Sequence, residues 1–304
     1  MSALKAIKPF AQLSRFSLSP RLQRHTSFNQ LTTRLLPLSQ TLLNPTVTYR
    51  HKHSMTPSDT FTLPVPTKAD PKVLGRAARS TDSTYQLLYF PMHGRGELTR
   101  TLLVFSGAKW EELALDLNIQ KKQLPFKLIP IVYETALDGT TLELAESHAI
   151  ERYLATKYGL NGHDPYETHR IDQIYTSTDF ANQLFWTRVR WAPLDKRIEE
   201  AHKFYDEILP TYIANHEAQL EKNGANGHYV GDKITLADLK SAHFMDRVMF
   251  MRPKGTKEPP FSRENSPNMW KVLQTVNGHP AMKAWKSSKR YQELDAGSLS
   301  FFQF

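Results

Sequence analysis

Cysteine is absent from all 304 residues. That excludes disulfides and cysteine-ligated metal, and it rules out dithiol exchange, which needs a C-x-x-C pair. Any sulfur chemistry must therefore use a thiol that arrives with a substrate. Acidic residues are missing from the first 58 positions, which carry eight basic ones: Lys5, Lys8, Arg15, Arg21, Arg24, Arg34, Arg50 and Lys52. The whole chain has 39 Lys or Arg and 30 Asp or Glu, so setting those eight aside leaves 31 against 30. A body so nearly balanced offers no basic face for nucleic acid. No apolar run reaches membrane-spanning length. The G-R-G at 94 to 96 lacks the third glycine and the spacing of a dinucleotide fingerprint, and His51 with His53 falls in the leader, so neither supports a cofactor or a metal.

What is present at the amino terminus is Ser, Thr, Leu and Arg, with Leu4, Ile7, Leu13 and Phe16 placed to form a short amphipathic segment. An acid-free, Arg- and Ser-rich start is the composition of a mitochondrial transit peptide, so residues 1–58 are expected to direct the chain to the matrix; a plain disordered tail is the other reading. Met55 offers an internal start and hence a cytosolic form. Residues 59–84, with Pro64, Pro66 and Pro71, read as an irregular linker.

Beyond the linker the pattern becomes regular. Tyr85, Leu87 and Tyr89 alternate with their neighbours as a strand that stops at Pro91. Gly94 to Gly96 lead into a helix with Leu98, Leu102 and Phe105 on one face, ended by Gly107. Trp110 to Leu115 make a second strand. Leu128 to Tyr133 and Thr141 to Leu144 form a hairpin around Asp138 and Gly139, and Ile150, Tyr153, Leu154 and Tyr158 recur at helical spacing after Ser147. Strand, helix, strand, hairpin, helix is the order of a thioredoxin-like α/β domain, here 85–161. From 165 to 304 the chain is helical in period. Pro210 is expected to kink one helix, NGANG at 223 to 227 breaks the series, Thr235 and Asp238 cap the next, and short helices centre on Trp270 and Trp285. The terminal aromatics Phe301, Phe302 and Phe304 read as docked packing, or as cover for a cleft.

Three segments, LLYFPMHGRGE around Tyr89, LPFKLIP with Ile129 and Pro130, and AESHAIERYL with Glu146 and Ser147, resemble the amino-terminal domain of a glutathione S-transferase, of the tyrosine-type, sigma-like class. The run GDKITLADLKSAHFMDRVMF resembles the capping motif in that family's helical domain. The resemblance covers most of residues 85 to 292. It implies a two-domain α/β plus all-α fold, glutathione as co-substrate without metal, and a homodimer.

It also implies roles. Tyr89 would donate a hydrogen bond to the thiolate of glutathione, and Arg95 would supply a nearby cation. Ile129, before a cis Pro130, would pair with the cysteinyl backbone, Glu146 and Ser147 would hold the γ-glutamyl group, and Asp179 would reach the same group from the partner subunit. Lys121 would keep a basic contact, and Phe90 and Trp186 would line the pocket for an apolar electrophile. On the residues alone each has a plainer reading: Tyr89, Phe90 and Trp186 as core, Arg95 and Asp179 as solvated helix residues, Ile129-Pro130 as a trans turn, Glu146 and Ser147 as a helix cap.

The loop from Asp116 to Gln123 is shorter than in sigma-like relatives, with Leu117 where the family has a glutathione-binding tryptophan. Leu128 replaces a polar residue beside the Ile-Pro pair. The expected activity is transfer of glutathione to apolar electrophiles. A non-catalytic binding or assembly module, or a glutathione-dependent isomerase or peroxidase, stands as the alternative.

Overall fold

The computed structural model describes residues 61–80, 82–252 and 260–301, with Ser300 and Phe301 described in backbone alone. The leader, Met55 and the terminal Phe302 and Phe304 lie outside the described residues.

Four strands, β1 (Thr84–Leu88), β2 (Lys109–Glu112), β3 (Ile131–Thr135) and β4 (Thr141–Ala145), form one sheet in the order β2-β1-β3-β4. Two parallel neighbours need a crossover, and helix α2 (Glu97–Phe105) makes it between β1 and β2. The other two pairings are antiparallel, with β3 and β4 joined as the expected hairpin. The second strand is shorter than its apolar run suggested. Period-two alternation sorts the side chains. Tyr85, Leu87 and Val132 belong to the main core with Leu98 and Leu102 of α2 and Ile150 and Leu154 of α4 (Ser147–Lys157). Leu88, Ile131 and Tyr133 form a second cluster with Leu63 and Leu124.

Leu63 corrects the expectation of an irregular linker over 59–84. Thr67 exchanges two hydrogen bonds with Thr141, its N–H donating to the Thr141 carbonyl at 2.8 Å and its Oγ1 accepting from the Thr141 N–H at 2.9 Å. The edge strand β4 is therefore partly covered rather than left as a template for other chains. Asp70 then caps helix α1 (Pro71–Ala77), accepting from Lys72 N–H at 2.7 Å, with Pro71 in the first turn where its missing N–H is harmless. The shortened loop is also ordered. Asp116 caps a single turn, α3 (Leu117–Gln120), and buried Gln120 ties it to the Ala114 and Phe61 carbonyls. This strap completes the cover of one sheet face, so Leu63→Ala is expected to lower unfolding free energy by about 2 kcal/mol, at the low end for a buried leucine. Urea unfolding of the variant measures it; an unchanged midpoint would return the segment to linker status.

The helical half begins at α5 (Pro165–Leu184), whose last turns widen into a π-helix, Phe185–Arg190. Helix α6 (Arg197–Lys203) runs through a second π segment, Phe204–Ile208, into α7 (Leu209–Lys222). Pro210 thus sits in the first turn of α7 and the widening precedes it, in place of the expected kink. Helix α8 (Leu236–Phe250) is buried along most of its length, as a central helix must be. Its cap is the expected Thr235/Asp238 pair: Asp238 accepts from the Thr235 N–H and hydroxyl and from the Tyr229 N–H, each at 2.8 Å. The Leu236 N–H donates to the Leu160 carbonyl at 2.8 Å, joining this helix to the end of the α/β half.

Helices α9 (Pro267–Gly278) and α10 (Pro280–Lys286) are the two expected short ones. A further helix, α11 (Lys289–Phe301), was not expected. No helix of the described residues is long and apolar enough to cross a membrane.

Candidate active site

Sheet register assembles the site. Leu88 lies opposite Ile131, and Ile131 opposite Ala145, so these three form one row across β1, β3 and β4. One residue beyond that row come Tyr89, Pro130 and Glu146. Three segments scattered over nearly sixty positions of sequence thus reach one end of one sheet.

Tyr89 is half-buried, with its ring laid on the loop that follows it. Its hydroxyl oxygen accepts from the Arg95 backbone N–H at 2.8 Å. A Cβ on Gly94 would stand 2.5 Å from that oxygen, and one on Gly96 would stand 2.4 Å from the ring at Cδ1. Both glycines are needed for the ring to lie there. The G-R-G that failed as a nucleotide motif is the bed of the tyrosine.

Arg95 is a nearby cation, but the lesser of two. Its backbone makes the contact while its side chain is exposed, and the stronger cationic influence on the phenol is Arg100. Arg100 is wholly buried, 5.7 Å from the Tyr89 ring centroid, donating to the Phe90 and Met92 carbonyls at 3.0 and 2.9 Å and to Glu112 at 2.6 Å. Sequence reading missed it, although its spacing of three from Glu97 was a visible signal. Burial raises the Tyr89 pKa above its ordinary 10, and the Arg95 N–H, Arg100 and Arg95 oppose without cancelling it. The phenol keeps its proton at neutral pH and, with the N–H occupying a lone pair, has its O–H left to donate.

The Ile129-Pro130 bond is cis. Ile129 is half-buried beside the second cluster, and Lys121 sits half-buried in the turn after α3. Glu146 has φ +67° and ψ 113°, a left-sided backbone rare for a residue with a side chain, and strain of this kind gathers at sites that bind. Its side chain is exposed and does not cap α4, and the first turn of α4 holds no acidic residue. Buried Ser147 stands at that uncapped end, where amide N–H groups and the helix dipole favour an anion.

Asp179 does not reach outward. It is 6% exposed, with Oδ1 held by His148 Nε2 at 2.9 Å and Lys240 Nζ at 3.1 Å, and Oδ2 by Gln183 Nε2 at 2.8 Å. Burial pushes its carboxyl up, but His148 and Lys240 outweigh that and hold it well below the usual carboxylate range. Both oxygens are engaged inside this chain, which corrects the solvated reading of Asp179. Phe90 meets Tyr89 edge-on at 5.6 Å, and Phe90 and half-buried Trp186 both pack against the main core. A depression of about 430 Å³ lies between α1 and β4, lined by Leu74, Gly75, Leu142 and Leu144.

A family model described as glutathione S-transferase, C-terminal domain, matches residues 184–289. The probable glutathione S-transferase 7 of Caenorhabditis elegans is 30% identical over 164 residues, covering 51% of this chain and 75% of that protein. Hematopoietic prostaglandin D synthase of Gallus gallus is 33% identical over 162 residues, covering 51% and 74%. The solved sigma class transferase of Fasciola hepatica superposes with a TM-score of 0.60 at 24% identity, covering 69% of this chain and 97% of that one, which speaks to the fold. With the α/β and all-helical halves in place, the chain belongs to the glutathione S-transferase family.

Proposed function

We propose that the chain binds glutathione at this end of the sheet and transfers its thiolate to apolar electrophiles. The observation that carries the reading is Tyr89, with its oxygen fixed by the Arg95 N–H and its proton available. Span supports it. Neighbouring strands lie about 4.8 Å apart, so β1 to β4 across β3 is roughly 10 Å. An extended tripeptide covers about the same distance at up to ~3.5 Å per residue. Its thiol would lie at Tyr89, its cysteinyl backbone at Ile129 beside Pro130, and its γ-glutamyl carboxylate at Ser147 and the α4 amides, with Glu146 suited to the ammonium.

A thiol of pKa near 8.5 is only about 3% thiolate at pH 7, and thiolate is the nucleophile. One hydrogen bond that lowers the pKa by about a unit raises that share to roughly a quarter. The thiolate then forms a carbon–sulfur bond while the electrophile's leaving group departs with its electron pair. Phe90 and Trp186 suit an apolar electrophile. The relation to a prostaglandin D synthase supports a second reading, isomerisation through the same thiolate. Composition of residues 1–58 supports mitochondrial import, and the family supports a homodimer.

Retention on immobilised glutathione, followed by conjugation to a generic electrophile, tests the proposal; no retention would leave a binding module of other purpose. Ser147→Ala should weaken glutathione binding about 10-fold, the worth of one charge-assisted hydrogen bond, with little change in kcat. Calorimetric titration measures it, and unaltered affinity would move the γ-glutamyl site elsewhere.

A further inference from the structure

The loop that beds Tyr89 is itself held from outside the α/β half. The His93 N–H donates to Ser298 Oγ of α11 at 3.1 Å, and the buried His93 ring places Nε2 2.9 Å from Asp295 Oδ1 of the same helix. The Tyr291 ring meets His93 at 4.6 Å. Gly297 comes closest: a Cβ there would stand 2.1 Å from the Pro91 carbonyl oxygen, so only glycine lets the helix approach so near. Pro91 and His93 flank the same turn whose Arg95 N–H fixes the Tyr89 hydroxyl and whose glycines carry its ring.

We propose that α11 is a positioning clamp: through Gly297, Ser298 and His93 it sets the loop, and the loop sets the direction of the Tyr89 hydroxyl toward the thiolate. The inference rests on the reading of Tyr89 as the thiolate's hydrogen-bond donor. These residues act by fixing a geometry in which an error of about 1 Å can cost up to 100-fold in rate.

Gly297→Ala forces the Pro91 carbonyl away and should lower kcat/KM about 10- to 100-fold. Ser298→Ala, a smaller change chosen to keep the fold, should lower it about 3- to 10-fold. In both, the pKa of bound glutathione, titrated by thiolate absorbance in the full-length protein, should rise by about half a unit or more, with glutathione affinity changed less than about 3-fold. A helix that serves stability alone would lower the unfolding midpoint and leave that pKa in place. If Gly297→Ala does not fold, Ser298→Ala decides. Tyr89→Phe is titrated alongside. A raised thiol pKa in Tyr89→Phe with an unmoved one in Ser298→Ala overturns the clamp and keeps the active-site reading. An unmoved pKa in Tyr89→Phe overturns both.

Discussion

Tyr89→Phe is expected to raise the pKa of enzyme-bound glutathione by about one unit and to lower kcat/KM at pH 7 about 10- to 100-fold. On the proposed function the substitution removes the hydroxyl proton that would meet the sulfur, and it keeps the ring on its glycine bed. The Arg95 N–H loses its acceptor, but it lies at an exposed residue where water replaces it, so stability should fall by less than about 1 kcal/mol. Glutathione should still bind, because Ser147, Glu146 and the Ile129 backbone are untouched. The deficit should shrink as pH rises toward about 9, where the thiol ionises without help. A pH–rate profile shows this directly: a loss that is constant from pH 6 to 9 would mean that the tyrosine does something other than favour thiolate.

Glu97→Gln should produce the largest loss of stability. Glu97 is 2% exposed at the start of α2, with Oε1 accepting from Trp285 Nε1 at 2.9 Å and Oε2 lying 2.9 Å from His93 Nδ1 and 3.5 Å from Arg100 Nη1. Burial pushes its carboxyl up, but His93 and Arg100 outweigh burial and bring it from the ordinary 4.5 to about 2. A pKa depressed by folding means that the folded state binds the proton less well than the unfolded one. Its contribution is therefore present above pH 4.5 and lost as pH falls toward 2. At about 1.4 kcal/mol per unit the shift corresponds to roughly 3 kcal/mol. Urea unfolding at pH 7 should show the variant about 3 kcal/mol less stable, with the gap narrowing below pH 4.5. A gap independent of pH would assign the loss to packing.

The three segments that meet at the candidate site were legible because each is local in sequence. Tyr89 closes an alternating strand, Ile129 precedes a proline, and Glu146 with Ser147 opens a periodic helix, each a pattern within about ten residues. What escaped lies in partners far apart. Leu63 is one leucine in a proline-rich stretch, and only its place beside Leu88 and Ile131 makes the strap part of the fold. Helix α11 mixes Lys, Arg, Gln and Asp with a central glycine, so its weak period hid the face formed by Tyr291, Leu294 and Ser298, all buried. Arg100 has the look of a solvated helix residue yet is wholly buried, because backbone carbonyls of the Tyr89 loop and Glu112 complete its hydrogen bonds. Asp179 matched a family position, but its meaning depended on Lys240 and His148, residues that no local pattern connects with it.

The most direct measurement is a crystal structure of the full-length protein with glutathione bound. The sulfur should accept a hydrogen bond from the Tyr89 hydroxyl, with the γ-glutamyl carboxylate on Ser147 and the first amides of α4. A tripeptide found away from this end of the sheet, or a sulfur turned from Tyr89 with the hydroxyl still closed onto its own loop, would contradict the account.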